Sequence, residues 1–219
     1  MALELYSHPF SSYCQKATMA LYENNTPFTL KLLDQAAPEN FPVFAGLWPI
    51  KRFPLLRDGD RSVMESSIII EHLQIHHPGP VRLIPTDADQ ALEARFMDRF
   101  FDNYVSTPQG RIVFNAIRKP EDRDPVGVEE ARALLETAYA WLEARMTDRQ
   151  WAIGDQFTLA DCSAAPALFY ADWTHPIGEQ FKHVRAYRSR LNARPSFARC
   201  IEEARPYRGY FPLGAPDQD

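Results

Sequence analysis

Cysteine is scarce in this sequence: Cys14, Cys162 and Cys200 are the only three among 219 residues, and they stand far apart. That excludes a disulfide-stapled scaffold and leads us to expect reduced thiols and a cytoplasmic location. No apolar run approaches the roughly 20 residues a bilayer span needs, so no membrane partner is expected. The opening Met1-Ala2-Leu3-Glu4-Leu5 lacks a basic segment ahead of an apolar stretch, so no secretory signal is expected either. Positive charge is in deficit, with a net charge of −5, which makes nucleic acid an unexpected partner. The basic residues that do occur cluster in 182–208: Lys182, Arg185, Arg188, Arg190, Arg194, Arg199, Arg205 and Arg208 against Glu202 and Glu203. This reads as the solvated face of two helices. Repeats and low-complexity tracts are absent. What remains is ordinary for a globular chain, 45% hydrophobic and 24% charged, and long enough to bury a core without cross-links.

The first 77 residues alternate short apolar runs with helical patterns. Residues 2–6 read as a strand. Residues 12–23 read as a helix, with Tyr13, Ala17, Ala20 and Leu21 at helical spacing, broken by Asn24-Asn25-Thr26-Pro27. Phe28, Leu30 and Leu32 alternate as a second strand. Residues 38–47 read as short and irregular. Residues 54–57 and 61–64 flank Asp58-Gly59-Asp60 as a hairpin, and 66–77 form a helix. The order β-α-β-α-β-β-α predicts a mixed four-stranded sheet with helices on both faces. From Thr86 onward only helices are expected, over 91–117, 128–146, 158–173, 181–193 and 196–204. The fold class is therefore an α/β domain over 1–77, a linker over 78–86 and an all-helical domain over 87–219.

Three stretches carry chemistry. In Y-S-H-P-F-S-S-Y-C-Q-K, Ser11 and Ser12 stand where a strand hands over to a helix. A serine there can cap the helix. The same helix start, with its free N–H groups and positive dipole end, can hold an anion, and a hydroxyl there can donate to a thiolate. Cys14 lies one turn later and has no second thiol for an intrahelical disulfide. It is either a lone nucleophile or a small packed residue. Phe53-Pro54 precedes a strand. If that bond is cis, the Phe53 backbone turns outward and can pair with an extended peptide. In Met64-Glu65-Ser66-Ser67, Ser66 is placed as an N-cap. Alternatively, Ser66 holds a carboxylate while Glu65 pairs with an ammonium, which together read an α-amino acid head group.

Residues 4–77 resemble the thioredoxin-like domain of glutathione transferases. Y-S-H-P-F-S-S-Y-C-Q-K resembles the glutaredoxin pattern with its first cysteine replaced by Ser11, and is similar to the Ser-Ser start of zeta-class transferases. W-P-I-K-R-F-P-L-L resembles the family's N-P-x-x-x-V-P-x-L segment, with Trp48 in place of the usual Asn. M-E-S-S-I-I-I-E-H-L resembles its E-S-x-x-I-x-x-Y-L segment. Farther along, F-T-L-A-D and L-N-A-R-P-S-F resemble segments of the family's helical domain. The resemblance implies that Ser11, with Ser12 the close alternative, donates to a glutathione thiolate. It implies that the Phe53 backbone, held by cis-Pro54, pairs with the cysteinyl unit. Glu65 and Ser66 would hold the γ-glutamyl end and Arg52 would approach the glycine carboxylate. It further implies a homodimer, glutathione as cosubstrate, and a small hydrophobic electrophile as the second substrate. Two other functions fit the same scaffold: a glutathione-dependent thiol–disulfide reductase or lyase, and a non-catalytic binder of glutathione or apolar ligands.

In the helical half, Thr158 and Asp161 predict a capping box, with Phe157 packing on Cys162. Pro166 falls inside that helix. Phe96, Met97, Phe100, Phe101 and Tyr104 form an apolar stripe, read as core or dimer seam. Tyr104, Arg111, Phe114 and Asn115 are candidates for the wall of a substrate pocket, with Tyr207, Tyr210 and Phe211 as its cover. His72 and His76 have the i, i+4 spacing of a metal-ligand pair, and His77 adjoins them. No third-ligand pattern accompanies them, so no metal is expected.

Overall fold

The computed structural model describes residues 3–217 and 219. The expected strand start at Ala2 and the expected domain start at Met1 lie outside the described residues. β1 (Leu3–Ser7) is buried apart from Glu4. It leads through a short loop into α1 (Ser12–Glu23), which crosses over to β2 (Phe28–Leu32). That crossover is what lets β2 run parallel to β1, with Leu3 opposite Phe28 and Ser7 opposite Leu32. β3 (Leu55–Asp58) and β4 (Arg61–Met64) form the expected hairpin. Gly59, at φ 60°, supplies the left-handed residue of its two-residue turn. The strand order is β2-β1-β3-β4, with β3 antiparallel to both neighbours.

The short Pro-rich segment, the second helix of the expected order, is α2 (Asn40–Leu47) and is more regular than its composition implies. Pro42 does not prevent it, because it sits in the first turn, where an amide N–H has no partner to lose. Phe44 anchors this helix to the sheet, its ring stacked 6.2 Å from Tyr6. α3 (Ser66–His76) follows β4 directly.

The expected helix over 91–117 is α4 (Ala88–Phe100) and α5 (Thr107–Ala116), joined by one π-helical turn over Phe101–Ser106. The backbone stays helical through the junction. Pro108 lacks the N–H that would bond to the Tyr104 carbonyl, so the regular ladder fails there and the turn widens. Then come α6 (Pro125–Arg145), α7 (Leu159–Thr174), α8 (Lys182–Asn192) and α9 (Pro195–Ala204). A 3₁₀ segment over Arg205–Tyr210 closes the described helices. No helix among the described residues is long and apolar enough to cross a membrane.

α7 is buried on nearly every side and packs against α1 and α4. Ala17, Leu21 and Ile69 from the first half join Ala164, Leu168 and Phe197 from the second in one continuous apolar core. A charged knot sits inside this contact. Lys16 Nζ, 1% exposed at the side chain, lies 2.5 Å from Asp98 and 2.9 Å from Asp102. It also donates to Ser67 Oγ at 2.9 Å. Against the opposing effect of burial, the Lys16 ammonium holds the Asp98 carboxyl below the usual range.

Much of the basic segment is paired with acids. Arg188 meets Asp172, Arg194 meets Glu23, Arg199 meets Glu203, and Arg205 meets Glu202 and Asp219.

Candidate functional site

Sheet register brings the sequence-separated stretches to one end of the molecule. Leu55 sits opposite Tyr6 on one side and Met64 on the other. Pro54, the residues just after Tyr6, and Glu65 therefore converge at the edge where β1 and β4 end and β3 begins. α1 and α3 both start there, and the Lys16–Ser67 hydrogen bond ties their first turns together. Neither helix carries an acidic residue in its first turn. Two positive dipole ends thus face the same edge, and the acid beside the α3 start, Glu65, stands at its cap position.

Ser11 is the N-cap of α1. Its backbone is extended and its Oγ accepts from the Cys14 N–H at 3.4 Å. Ser12 is the first residue of the helix, half-buried like Ser11. The capping role of Ser11 is real, and it leaves the hydroxyl proton free to donate. Cys14 is fully buried. Desolvation pushes its thiol up, opposed by the Ser7 and Ser11 hydroxyls and the His8 N–H. A buried, protonated thiol is a packed residue rather than an accessible nucleophile.

The Phe53–Pro54 bond is cis. Pro54 is buried, while Arg52 and Phe53 are exposed. The β-ladders begin only at Leu55, so Phe53 lies before them. Ser66 departs from its expected place: it is not the N-cap but the first residue inside α3, and the cap position belongs to Glu65. Glu65 has φ 69° and makes no side-chain capping bond. A non-glycine residue held there carries about 1–3 kcal/mol of strain. The reason is steric. β4 ends at Met64 and α3 begins two residues later, so one residue must make the whole change of direction. Ser66 itself is 4% exposed, and its hydroxyl is not spent on capping.

Several residues near this edge were not singled out in the sequence. Tyr13, beside Ser12, is 38% exposed. Burial first, then the Asp102 carboxylate, pushes its hydroxyl up to about 12. His8 accepts the Phe10 N–H at Nδ1, 3.1 Å away, which places its proton on Nε2, 3.4 Å from Asp34. The tail packs on this histidine: Tyr207 lies 4.5 Å from its ring, and the Tyr210 hydroxyl donates to Asp34 at 3.3 Å. Phe211 packs instead on Trp173. Only the adjacency of His8 to the serine motif could have flagged this corner.

The expected pocket-wall residues divide. Tyr104 and Phe114 are exposed. Arg111 is engaged with Asp124 and Glu130, and the Asn115 side chain accepts from the Asp124 N–H at 2.7 Å, so both secure the start of α6. In the apolar stripe, Met97, Phe100 and Phe101 are core, while Phe96 and Tyr104 reach the surface. A cavity of about 430 Å³ lies on another side of α1. Gln15, Tyr22, Leu30, Arg199 and Tyr207 line it, and Ser11, Ser12, Pro54, Glu65 and Ser66 do not.

Comparison with known proteins bears on both halves. Residues 5–81 match the glutathione S-transferase N-terminal domain, and residues 108–195 match the glutathione S-transferase C-terminal domain. A glutathione S-transferase of Silene vulgaris is 28% identical over 212 residues, covering 92% of this chain and 97% of that protein. Glutathione S-transferase F6 of Arabidopsis thaliana is 25% identical, covering 91% of this chain and 99% of its own. Among solved structures, a glutathione S-transferase of Methylobacterium radiotolerans in complex with glutathione sulfonate superposes with a TM-score of 0.78. It has 29% identity and covers 92% of this chain and 95% of the other. Glutathione transferase F7 of Populus trichocarpa, at 22% identity and TM-score 0.79, shares the fold, covering 92% of this chain and 99% of its own. With each half matching a domain of the same enzymes, this chain belongs to the glutathione S-transferase family.

Proposed function

We propose that this enzyme binds glutathione across the edge formed by the starts of α1, β3 and α3, and activates its sulfur for attack on a small hydrophobic electrophile. The observation that carries the reading is the convergence there of two helix N-termini without first-turn acids, beside serine hydroxyls free to donate. On this reading Ser66 holds the γ-glutamyl carboxylate and Glu65 its ammonium. The Phe53 backbone pairs with the cysteinyl unit, and Arg52 approaches the glycine end. Ser11 or Ser12 donates to the sulfur. A donor and a dipole end that favour the thiolate lower the thiol pKa from its free value of about 8.5, each unit corresponding to about 1.4 kcal/mol. The thiolate then attacks an electrophile lying between Tyr13 and the helical half, where Tyr104 and Phe114 offer apolar surface.

The burial of Cys14 speaks against a reductase that uses that thiol. The exposed apolar side chains Ile68, Ile75, Leu92 and Phe96 on α3 and α4 support a homodimer seam. The cysteines, all free and buried, are consistent with a cytoplasmic setting. One experiment tests the core of the proposal: thiolate absorbance of bound glutathione against pH in wild type, Ser11→Ala and Ser12→Ala. One variant should raise the bound thiol pKa by about a unit or more. Unchanged titration in both single variants and in the double variant would refute serine activation.

A further inference from the structure

At the far end of α3, three side chains from separate elements point at one another. His77 is the residue just past the helix, with φ −134° and ψ 53°. Its backbone has left the helix, so its ring swings back under the last turn. Its Nε2 lies 2.7 Å from Oδ2 of Asp58. His72, one helical turn earlier and 7% exposed at the side chain, brings its own Nε2 to 3.0 Å from the same oxygen. Asp58 closes β3 immediately before the Gly59 turn. The three donor atoms lie within 4.8 Å of one another. The sequence argued against a metal here because the His72–His76 pair had no third partner. The fold supplies the partner from the hairpin and exchanges His76 for His77. The His76 ring rests 4.4 Å from His72, with its Nε2 3.1 Å from the Arg61 guanidinium, and so is turned away from Asp58.

We propose that Asp58, His72 and His77 form a binding site for a divalent ion of the zinc class, with three protein ligands and a fourth position open to solvent. Two imidazoles and one carboxylate are a recognised zinc donor set, with metal–ligand bonds of about 2.0–2.2 Å. Ligands around such an ion stand about 3.3 Å apart, so the two carboxylate–imidazole spacings need widen by only some tenths of an ångström. One carboxylate oxygen now receives two imidazole N–H groups at once, and an ion takes the place of those two protons. The Asp58 charge is held ionised by the His77 and His72 hydrogen bonds, opposed by partial burial. Arg61 is the opposing cation nearby, and it is occupied with His76. The ion clasps the β3–β4 turn to the end of α3. Ser66 stands ten residues back along that helix, about 15 Å away, so the clasp is independent of the glutathione chemistry.

The test is Zn²⁺ titration of EDTA-treated protein, followed by chelator competition, metal content after dialysis and thermal melting with and without Zn²⁺. Wild type should retain one Zn²⁺ per chain and melt at a higher temperature with it. His77→Ala and Asp58→Asn should each weaken binding at least tenfold and abolish the zinc-dependent melting shift. His183→Ala, at an exposed histidine on α8, should keep both. His77 and Asp58 are each partly exposed, so one variant decides the matter if the other does not fold in EDTA. No retained Zn²⁺ in wild type, or equal retention in His77→Ala and Asp58→Asn, overturns the proposal. Equal retention would assign the zinc to other groups.

Discussion

α7 is capped by Thr158 and carries its acid three residues after that cap, whereas in α3 the acid, Glu65, occupies the cap position itself and Ser66 follows it. That displacement separates a closed helix start from an open one. At α7 the Asp161 carboxylate accepts from the Thr158 N–H at 2.8 Å, the Ala152 N–H at 2.9 Å and the Tyr187 hydroxyl at 2.6 Å. The Thr158 hydroxyl accepts from the Ala160 N–H and donates to the same carboxylate at 3.2 Å. Each donor there finds its partner inside the protein, and the corner is buried. At α3 the acid is exposed on a left-handed residue and the serine makes no cap. Similar residue types build a fastening in one case and leave groups available to a ligand in the other. What decides is whether the acid can fold back onto the helix start.

The largest expected effect lies on the closed side. Asp161→Ala strands four donors and should destabilise the protein by at least about 3 kcal/mol, measured by urea denaturation. Its carboxyl is pushed up to about 6 by burial, against the pull of its hydrogen bonds. The folded state therefore holds this proton more tightly than the unfolded one. The contribution of this group to stability is greatest below about pH 4 and is lost as the pH rises through about 6. Asp161→Asn should remove that part of the slope, so the difference between the two pH–stability curves should change across pH 4–6 and be flat above.

On the open side the effect should move from stability to binding. Ser66→Ala should weaken glutathione about tenfold or more, read by calorimetric titration, and shift stability by less than about 0.5 kcal/mol, because no cap is lost. Thr158→Ala should do the reverse, losing about 1 kcal/mol of stability with glutathione affinity unchanged. If Ser66→Ala destabilises as Thr158→Ala does, the contrast between the two helix starts is wrong. Glu65→Gly, the one change expected to stabilise, relieves the left-handed strain and should add up to about 1 kcal/mol of stability, read as a higher urea midpoint, while glutathione affinity falls.

Much of this arrangement was legible in the sequence because it rests on local signals. The alternation of strands and helices, the hairpin at Asp58-Gly59-Asp60 and the Thr158 capping box each lie within a few residues of chain. What escaped was set by distance or by a change in period. A π-helical turn adds one residue within an otherwise helical stretch, too local a change for the apolar pattern to reveal, so Phe101–Ser106 read as ordinary helix. Ser66 read as a cap because the rule counts residue types and cannot see that Glu65 takes the bend. Lys16 meeting Asp98 and Asp102, and Asp58 meeting His72 and His77, join residues that nothing local links.

The ammonium of Lys16 has its counter-charges on the opposite half of the chain. Cut free of its helical companion, the sheet-bearing half would lose both counter-charges and bare the apolar side chains of α1 that pack against α7. A chimera that grafts a foreign helical half onto this one must bring carboxylates to the places of Asp98 and Asp102, or replace the lysine with an apolar side chain of similar length.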